Sequence, residues 1–311
     1  MTKTYYSHGK LLLTSEYLVL DGANALAIPT KLGQKMTVAD TDKLGIRWKS
    51  VPSNGSVWFE YHFDLETLNS KNFKSENPVV QTLGNILIAV QNQDGSFFGK
   101  ANGASIVSTL EFPRNWGLGS SSTLIANIAQ WASVDAYRLL EDTFGGSGYD
   151  IACATAKRPI IFKKENEKVH IEESTFNPPF KDELFFVHLN QKQNSRESIN
   201  HYRTTPKADL KKEVAYFSEL TQKIIHCENI SIFKALITEH EERLSRIIKT
   251  PTVKSKLFSK YQGAIKSLGG WGGDFIMVTG QKKDMRYFEE KGFHTILSYE
   301  EMILHEPSSH H

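Results

Sequence analysis

The stretch Pro113-Arg114-Asn115-Trp116-Gly117-Leu118-Gly119-Ser120-Ser121-Ser122-Thr123 constrains this chain more than any other segment. Gly117 and Gly119, one residue apart, allow a tight turn and a close approach of backbone to ligand. The serines then open an apolar periodic run over 124–131, which predicts a helix from Ser121 to about Leu140. A glycine turn feeding a helix N-terminus offers outward N–H groups and the positive end of the helix dipole, and so suits phosphate. The serines are candidate caps for that helix, and one hydroxyl is a candidate Mg²⁺ ligand. The plain alternative is an ordinary glycine turn with a serine cap.

A chain of 311 residues is long for one core, so two lobes are expected. The Pro178-Pro179 pair after a charged stretch marks the boundary, giving lobes 1–178 and 179–311. The net charge of +2 gives no sign of a nucleic-acid or membrane surface. No apolar run is long enough to span a bilayer. Cys153 and Cys227 lack partners at metal-ligand spacing, so a reduced, cytoplasmic protein without disulfides is expected.

Residues 10–13 and 17–20 read as strands around Thr14-Ser15-Glu16, or as one strand with a polar break. A strand over 25–28 is expected to end at Pro29. Alternation over 35–38, 45–48 and 56–63 predicts an antiparallel sheet. Helical spacing covers 79–90, and Ala104–Leu110 reads as a strand. A second glycine cluster, Gly145-Gly146-Ser147-Gly148, precedes a buried helix start at Tyr149-Asp150. Strands follow at 159–162 and 169–171. Past the prolines, 184–189 is a strand and helical patterns cover 207–227, Ile230–Ile248 and 253–268. A third cluster, Gly269-Gly270-Trp271-Gly272-Gly273, leads into strand Phe275–Thr279. A helix near 283–291 and a strand at 294–297 close the lobe. Segregated strands and helices predict an α+β plan in both lobes.

Three glycine turns with polar flanks point to a large anionic ligand held by backbone N–H groups. The P-loop spacing is absent, and so is the dinucleotide fingerprint. The chain resembles the GHMP family of small-molecule kinases in three places. The first motif is Gly9-Lys10-Leu11-Leu12-Leu13-Thr14-Ser15-Glu16-Tyr17-Leu18-Val19-Leu20. The second is the Pro113 to Ser122 turn, and the third is Lys266-Ser267-Leu268-Gly269-Gly270-Trp271-Gly272-Gly273-Asp274. Departures are His8 for the usual proline, Ser15 for the usual glycine, and Trp271 where a glycine is expected. If position 271 needs a positive φ, tryptophan there is strained.

The resemblance implies a ribosomal-protein-S5-domain-2-like first lobe, a ferredoxin-like second lobe, and an active site in the cleft between them. It implies ATP at Pro113, Gly117, Leu118, Gly119, Ser120, Ser121 and Ser122, with Mg²⁺ on Ser121 and either Glu141 or Asp142. Lys10 stabilises the transferring phosphoryl group, and Asp150 is the base toward the acceptor. Asp150 also reads as an N-cap of the helix after it. The resemblance also implies that Lys192, Ser195, Arg196, Gly272 and Gly273 face a small anionic substrate. The alternative for 190–196 is a solvated loop. The Gly-Ser-Gly-Tyr-Asp-Ile-Ala run and the Gly272-Gly273-Asp274 ending resemble the mevalonate-pathway branch, phosphomevalonate kinase ahead of mevalonate kinase. A homodimer stays open. The competing readings are a non-catalytic nucleotide or metabolite sensor, and a kinase for homoserine or a sugar.

Overall fold

The computed structural model describes residues 1–70, 73–165 and 168–304, apart from the side chain of Ser195. It divides into two units. One comprises Met1–Gly9, Leu32–Arg114 and Gly119–Thr155, and the other Lys10–Lys31, Asn115–Leu118 and Ala156–His311. The plan is α+β, as expected. Among the described residues no helix is long and apolar enough to cross a membrane. Cys153 and Cys227 are both buried and form no disulfide.

The first unit holds Thr2–Gly9 of β1 (Thr2–Leu12), Leu32–Asp40 of β2 (Ala25–Asp40), β3 (Ile46–Val51), β4 (Phe59–Phe63) and β5 (Ala104–Leu110). The C-terminal half of β2 pairs antiparallel with β5, from Gln34 opposite Leu110 to Asp40 opposite Ala104. β3 pairs antiparallel with β4 but parallel with β5. The sheet is therefore mixed, not the antiparallel one expected, because a crossover through helix Pro78–Gln93 returns β5 alongside β3 in the same direction. Asn77 caps that helix at the Val79 and Val80 N–H groups, and Pro78 opens it. Its buried face carries Val80, Leu83, Ile86, Leu87 and Val90, the i, i+3, i+4 spacing of an apolar stripe. This face packs with Trp48, Ile106, Ile125, Ile128 and Leu139.

The helix expected from Ser121 to Leu140 is two helices, Ser120–Ala132 and Ala136–Thr143. Ser133 takes a left-handed φ of 58° and ends the first. The Asp135 side chain accepts the Tyr137 and Arg138 N–H groups and starts the second. The expected strand at 17–20 is a 3₁₀ helix, Leu18–Asp21. Ser15 and Tyr17 both have positive φ, 60° and 66°, which no extended strand can contain. Nor does the strand from Ala25 stop at Pro29: the Pro29 carbonyl accepts Leu304 N–H at 3.0 Å, and β2 continues.

In the second unit β6 (Ile160–Glu165) pairs with Ala25–Ala27 of β2 and with β7 (Lys168–Glu173). A separate sheet has the order β11-β8-β10-β9, with β8 (Leu184–His188), β9 (Ile265–Leu268), β10 (Phe275–Thr279) and β11 (Ile296–Ser298) all antiparallel to their neighbours. Helices Leu210–Ile225 and Ile230–Ile248 lie between β8 and β9 in the chain, and helix Arg286–Glu289 between β10 and β11. That βαββαβ order is the expected ferredoxin-like plan. Every residue of β8 and β10 is buried, so this sheet is covered on both faces. The helix expected over 253–268 is only Val253–Leu257. The chain then passes flat against Thr279, whose carbonyl accepts the Tyr261 hydroxyl at 2.9 Å, and 265–268 joins the sheet as β9.

Candidate active site

In the second unit the first half of the glycine turn is anchored from both sides. The Asn115 carbonyl meets His188 Nε2 at 3.1 Å, and the Trp116 ring stands edge-on to Phe275 at 5.3 Å. Gly117 has a φ of 69°. Lys10 follows on the same framework. Its main-chain N–H donates to the Leu118 carbonyl at 3.0 Å, and its half-buried ammonium donates to the Gly117 carbonyl at 3.3 Å. The first-motif lysine and the glycine turn are thus brought together.

A residue that the sequence quoted without a role completes this cluster. A Cβ on Gly117 would fall on the carboxyl group of Asp274. Asp274 is buried, left-handed (φ 54°), and accepts the Gln193 N–H through Oδ1 at 3.2 Å. Burial pushes its carboxyl up, against the Gln193 N–H and the charges of Lys10 and Lys192. Gly117→Ala is therefore expected to lower unfolding free energy by about 1–3 kcal/mol, from the left-handed backbone and the collision together. Urea unfolding measures it, and a variant as stable as the parent would show that the two residues do not touch.

The third glycine turn packs against the 190–194 loop: side chains at Gly270 or Gly273 would strike Gln193, and Gln191 Nε2 donates to the Gly272 carbonyl. Lys192, Gly272 and Gly273 therefore share one neighbourhood, with Lys192 exposed. Residues 195–204 are a helix capped by Asn194, so only 190–194 of that stretch is loop. Arg196 is exposed on its first turn, and the side chain of Ser195 lies outside the described residues. Trp271 is not strained. The positive φ values fall on Gly269 (76°), Gly272 (82°) and Asp274. The Trp271 ring is buried beside Tyr17, Leu18, Tyr202 and Phe217. Its N–H groups donate to Tyr17 Oη and the Pro251 carbonyl, both at 2.9 Å.

Behind this turn lies a sealed ion cluster. Lys266 is fully buried and donates to Glu16, to Glu241 Oε1 at 3.0 Å and to the Ser267 carbonyl at 2.7 Å. All three ammonium protons are used. Burial pushes Glu16 up to about 7 despite Lys266, and raises Glu241 as well. Burial drives His240 well below its usual value, leaving it neutral, and its Nε2 accepts the Ser15 N–H at 2.9 Å. The cluster fastens the Glu16 turn to the strand that enters the third glycine turn.

In the first unit Gly119 (φ 88°) is the N-cap of helix Ser120–Ala132, and no side chain caps it. The expected serine cap is absent because Ser120 is already the first helical residue. That leaves the opening N–H groups without a side-chain cap. Ser121 is exposed and Ser122 buried. Asn127 fixes the helix: it accepts from Ser7 Oγ at 2.9 Å and donates to the Gln34 carbonyl at 2.8 Å. Asp150 is the second residue of helix Tyr149–Thr155 and so is not its N-cap. It is half-buried, after Gly145, Gly146 and Gly148, all with positive φ. Glu141 and Asp142 are exposed on helix Ala136–Thr143, and Arg138 Nε lies 4.0 Å from Asp142. Among the described residues no group of three or more His, Cys, Asp or Glu side chains could hold a metal ion. Mg²⁺ needs less, since it keeps most of its waters. A crevice of about 520 Å³ lined by Phe97, Lys100, Trp131 and Arg138 contains none of the candidate residues.

No protein-family model matches the chain, and no curated protein matches it in sequence. Solved structures do match in fold. A galactokinase from Lactococcus lactis complexed with galactose has a TM-score of 0.68 at 12% identity, over 97% of this chain and 93% of that one. The mevalonate kinase of Methanococcus jannaschii has 0.64 at 14%, over 98% of both chains. The phosphomevalonate kinase of Streptococcus pneumoniae, in complex with phosphomevalonate and AMPPNP, has 0.67 at 14%, over 95% of this chain and 99% of that one. The chain shares the fold of these kinases.

Proposed function

We propose that the protein is a cytoplasmic, ATP-dependent kinase that passes the γ-phosphoryl group to phosphomevalonate or mevalonate. One observation carries the reading: the Lys10 ammonium sits on the carbonyl of Gly117, at a glycine turn that runs directly into an uncapped helix N-terminus. Backbone N–H groups over 119–122 hold the phosphates, with Gly117 and Leu118 shaping the turn. Ser121 and Glu141, oxygen donors of one unit, would hold Mg²⁺, which neutralises phosphate charge. Lys10 stabilises the charge that develops on the transferred group. Asp150 takes the proton of the acceptor oxygen as the new P–O bond forms and ADP departs. Lys192 and Arg196 supply cations for the substrate's anionic end. That a fold relative was solved with phosphomevalonate and AMPPNP supports this choice of substrates.

The test is ADP release with mevalonate, phosphomevalonate, homoserine and galactose, beside direct measurement of ATP binding. The expected result is the highest kcat/KM with phosphomevalonate. ATP binding with no ADP release on any of the four would retire the kinase reading in favour of a sensor.

A further inference from the structure

Asp274 is an unusual residue to find where it is. It ends the third glycine turn in the left-handed region, which costs most side chains energy and which aspartate tolerates better than most. Its backbone is pinned on both sides, N–H to the Gln191 carbonyl at 2.9 Å and carbonyl to the Leu189 N–H at 2.8 Å. Its side chain is therefore aimed, and it lies flat on Gly117. The carbonyl of that same glycine receives the Lys10 ammonium. Lys10 and Lys192 are the cations whose charge opposes the cost of burying this carboxylate. The resemblance of the Gly272-Gly273-Asp274 ending gives the acid no role, and contact with Gly117 supplies one.

We propose that Asp274 is the positioning residue for Lys10: its carboxylate, laid on Gly117, is the counter-charge that holds the Lys10 ammonium at the glycine turn. Asp274→Asn removes the charge and keeps an acceptor for the Gln193 N–H, whereas Asp274→Gly removes both. The proposal rests on the kinase reading only for its effect on turnover, since the contact itself exists without any reaction.

Two variants test it, Asp274→Asn and Asp274→Gly. Asparagine keeps an acceptor for the Gln193 N–H, and glycine suits the left-handed backbone if asparagine fails to fold. The first readout is the rate at which Lys10 is acylated at pH 8, quantified by mass spectrometry with exposed Lys283 as reference. Loss of the counter-charge is expected to raise the Lys10 rate by about three- to tenfold, because less of the amine is held protonated and bound. The second readout is kinetic: kcat is expected to fall about tenfold or more with KM for ATP unchanged, a split that a merely structural role would not give. An unchanged Lys10 rate in the variants would overturn the proposal whatever the turnover. If the parent chain phosphorylates nothing, the kinase reading fails and the acylation rates alone decide the role of Asp274.

Discussion

Replacing Asp150 by asparagine is expected to lower turnover on mevalonate by about 10²–10⁴-fold and to leave ATP affinity within about threefold. The substitution is nearly isosteric and sits in the first turn of a short helix whose Ile151, Cys153 and Ala154 are buried, so the fold should persist. The substitution removes the carboxylate's charge and its capacity to accept a proton. The size of the loss depends on the acceptor. An alcohol must lose its proton as it is phosphorylated, whereas a phosphate monoester has already lost most of its second proton near neutral pH. The same variant should therefore lose much less on phosphomevalonate. Paired kcat measurements on the two substrates give that ratio. Equal losses in turnover and ATP affinity, or none in turnover, would remove Asp150 from the chemistry.

Lys266→Met is expected to cost about 3–5 kcal/mol of folding stability near pH 8, the usual penalty for removing one partner of a buried ionic group. Methionine fills the space but leaves Glu16 and Glu241 facing each other without a cation. Their only relief is to take up protons. Burial raises both carboxyls, so the cost should shrink as pH falls and they take up protons. The parent shows a related, weaker trend. The Glu16 carboxyl is raised in the folded state to about 7, so its contribution is fully present below its unfolded value near 4.5 and is lost as pH rises through about 7. Glu16→Gln should flatten that slope. Chemical denaturation at pH 5, 6.5 and 8 checks all three statements, and a pH-independent cost for Lys266→Met would contradict the buried cluster.

What the sequence made legible was local. The Gly117-Leu118-Gly119 turn, strand Ala104–Leu110 and helix Ile230–Ile248 each announce themselves through neighbours in the chain, and the structure has them where the residues predict. Left-handed residues that are not glycine leave no such trace. Ser15 and Tyr17 turn the chain where an apolar run reads as a strand, and in the third turn positive φ falls on Gly269, Gly272 and Asp274 rather than on Trp271. Long-range partners are equally silent. A lysine reads as exposed until its counter-ions are known, and those of Lys266 lie 250 and 25 residues away, at Glu16 and Glu241. Asp274 stood in plain view at the end of a motif, but its contact with Gly117 spans more than half the chain. The residues named for chemistry came from the family resemblance, and the contacts around them emerged only from the folded chain.

Transfer of label from [γ-³²P]ATP tests the central claim most directly. Incubated with phosphomevalonate and Mg²⁺, the protein should move the label into a diphosphate product at a rate that Lys10→Met and Ser121→Ala each reduce. Label that remains on ATP with phosphomevalonate and mevalonate alike, while ATP binding is intact, would contradict phosphoryl transfer at the Gly117 turn.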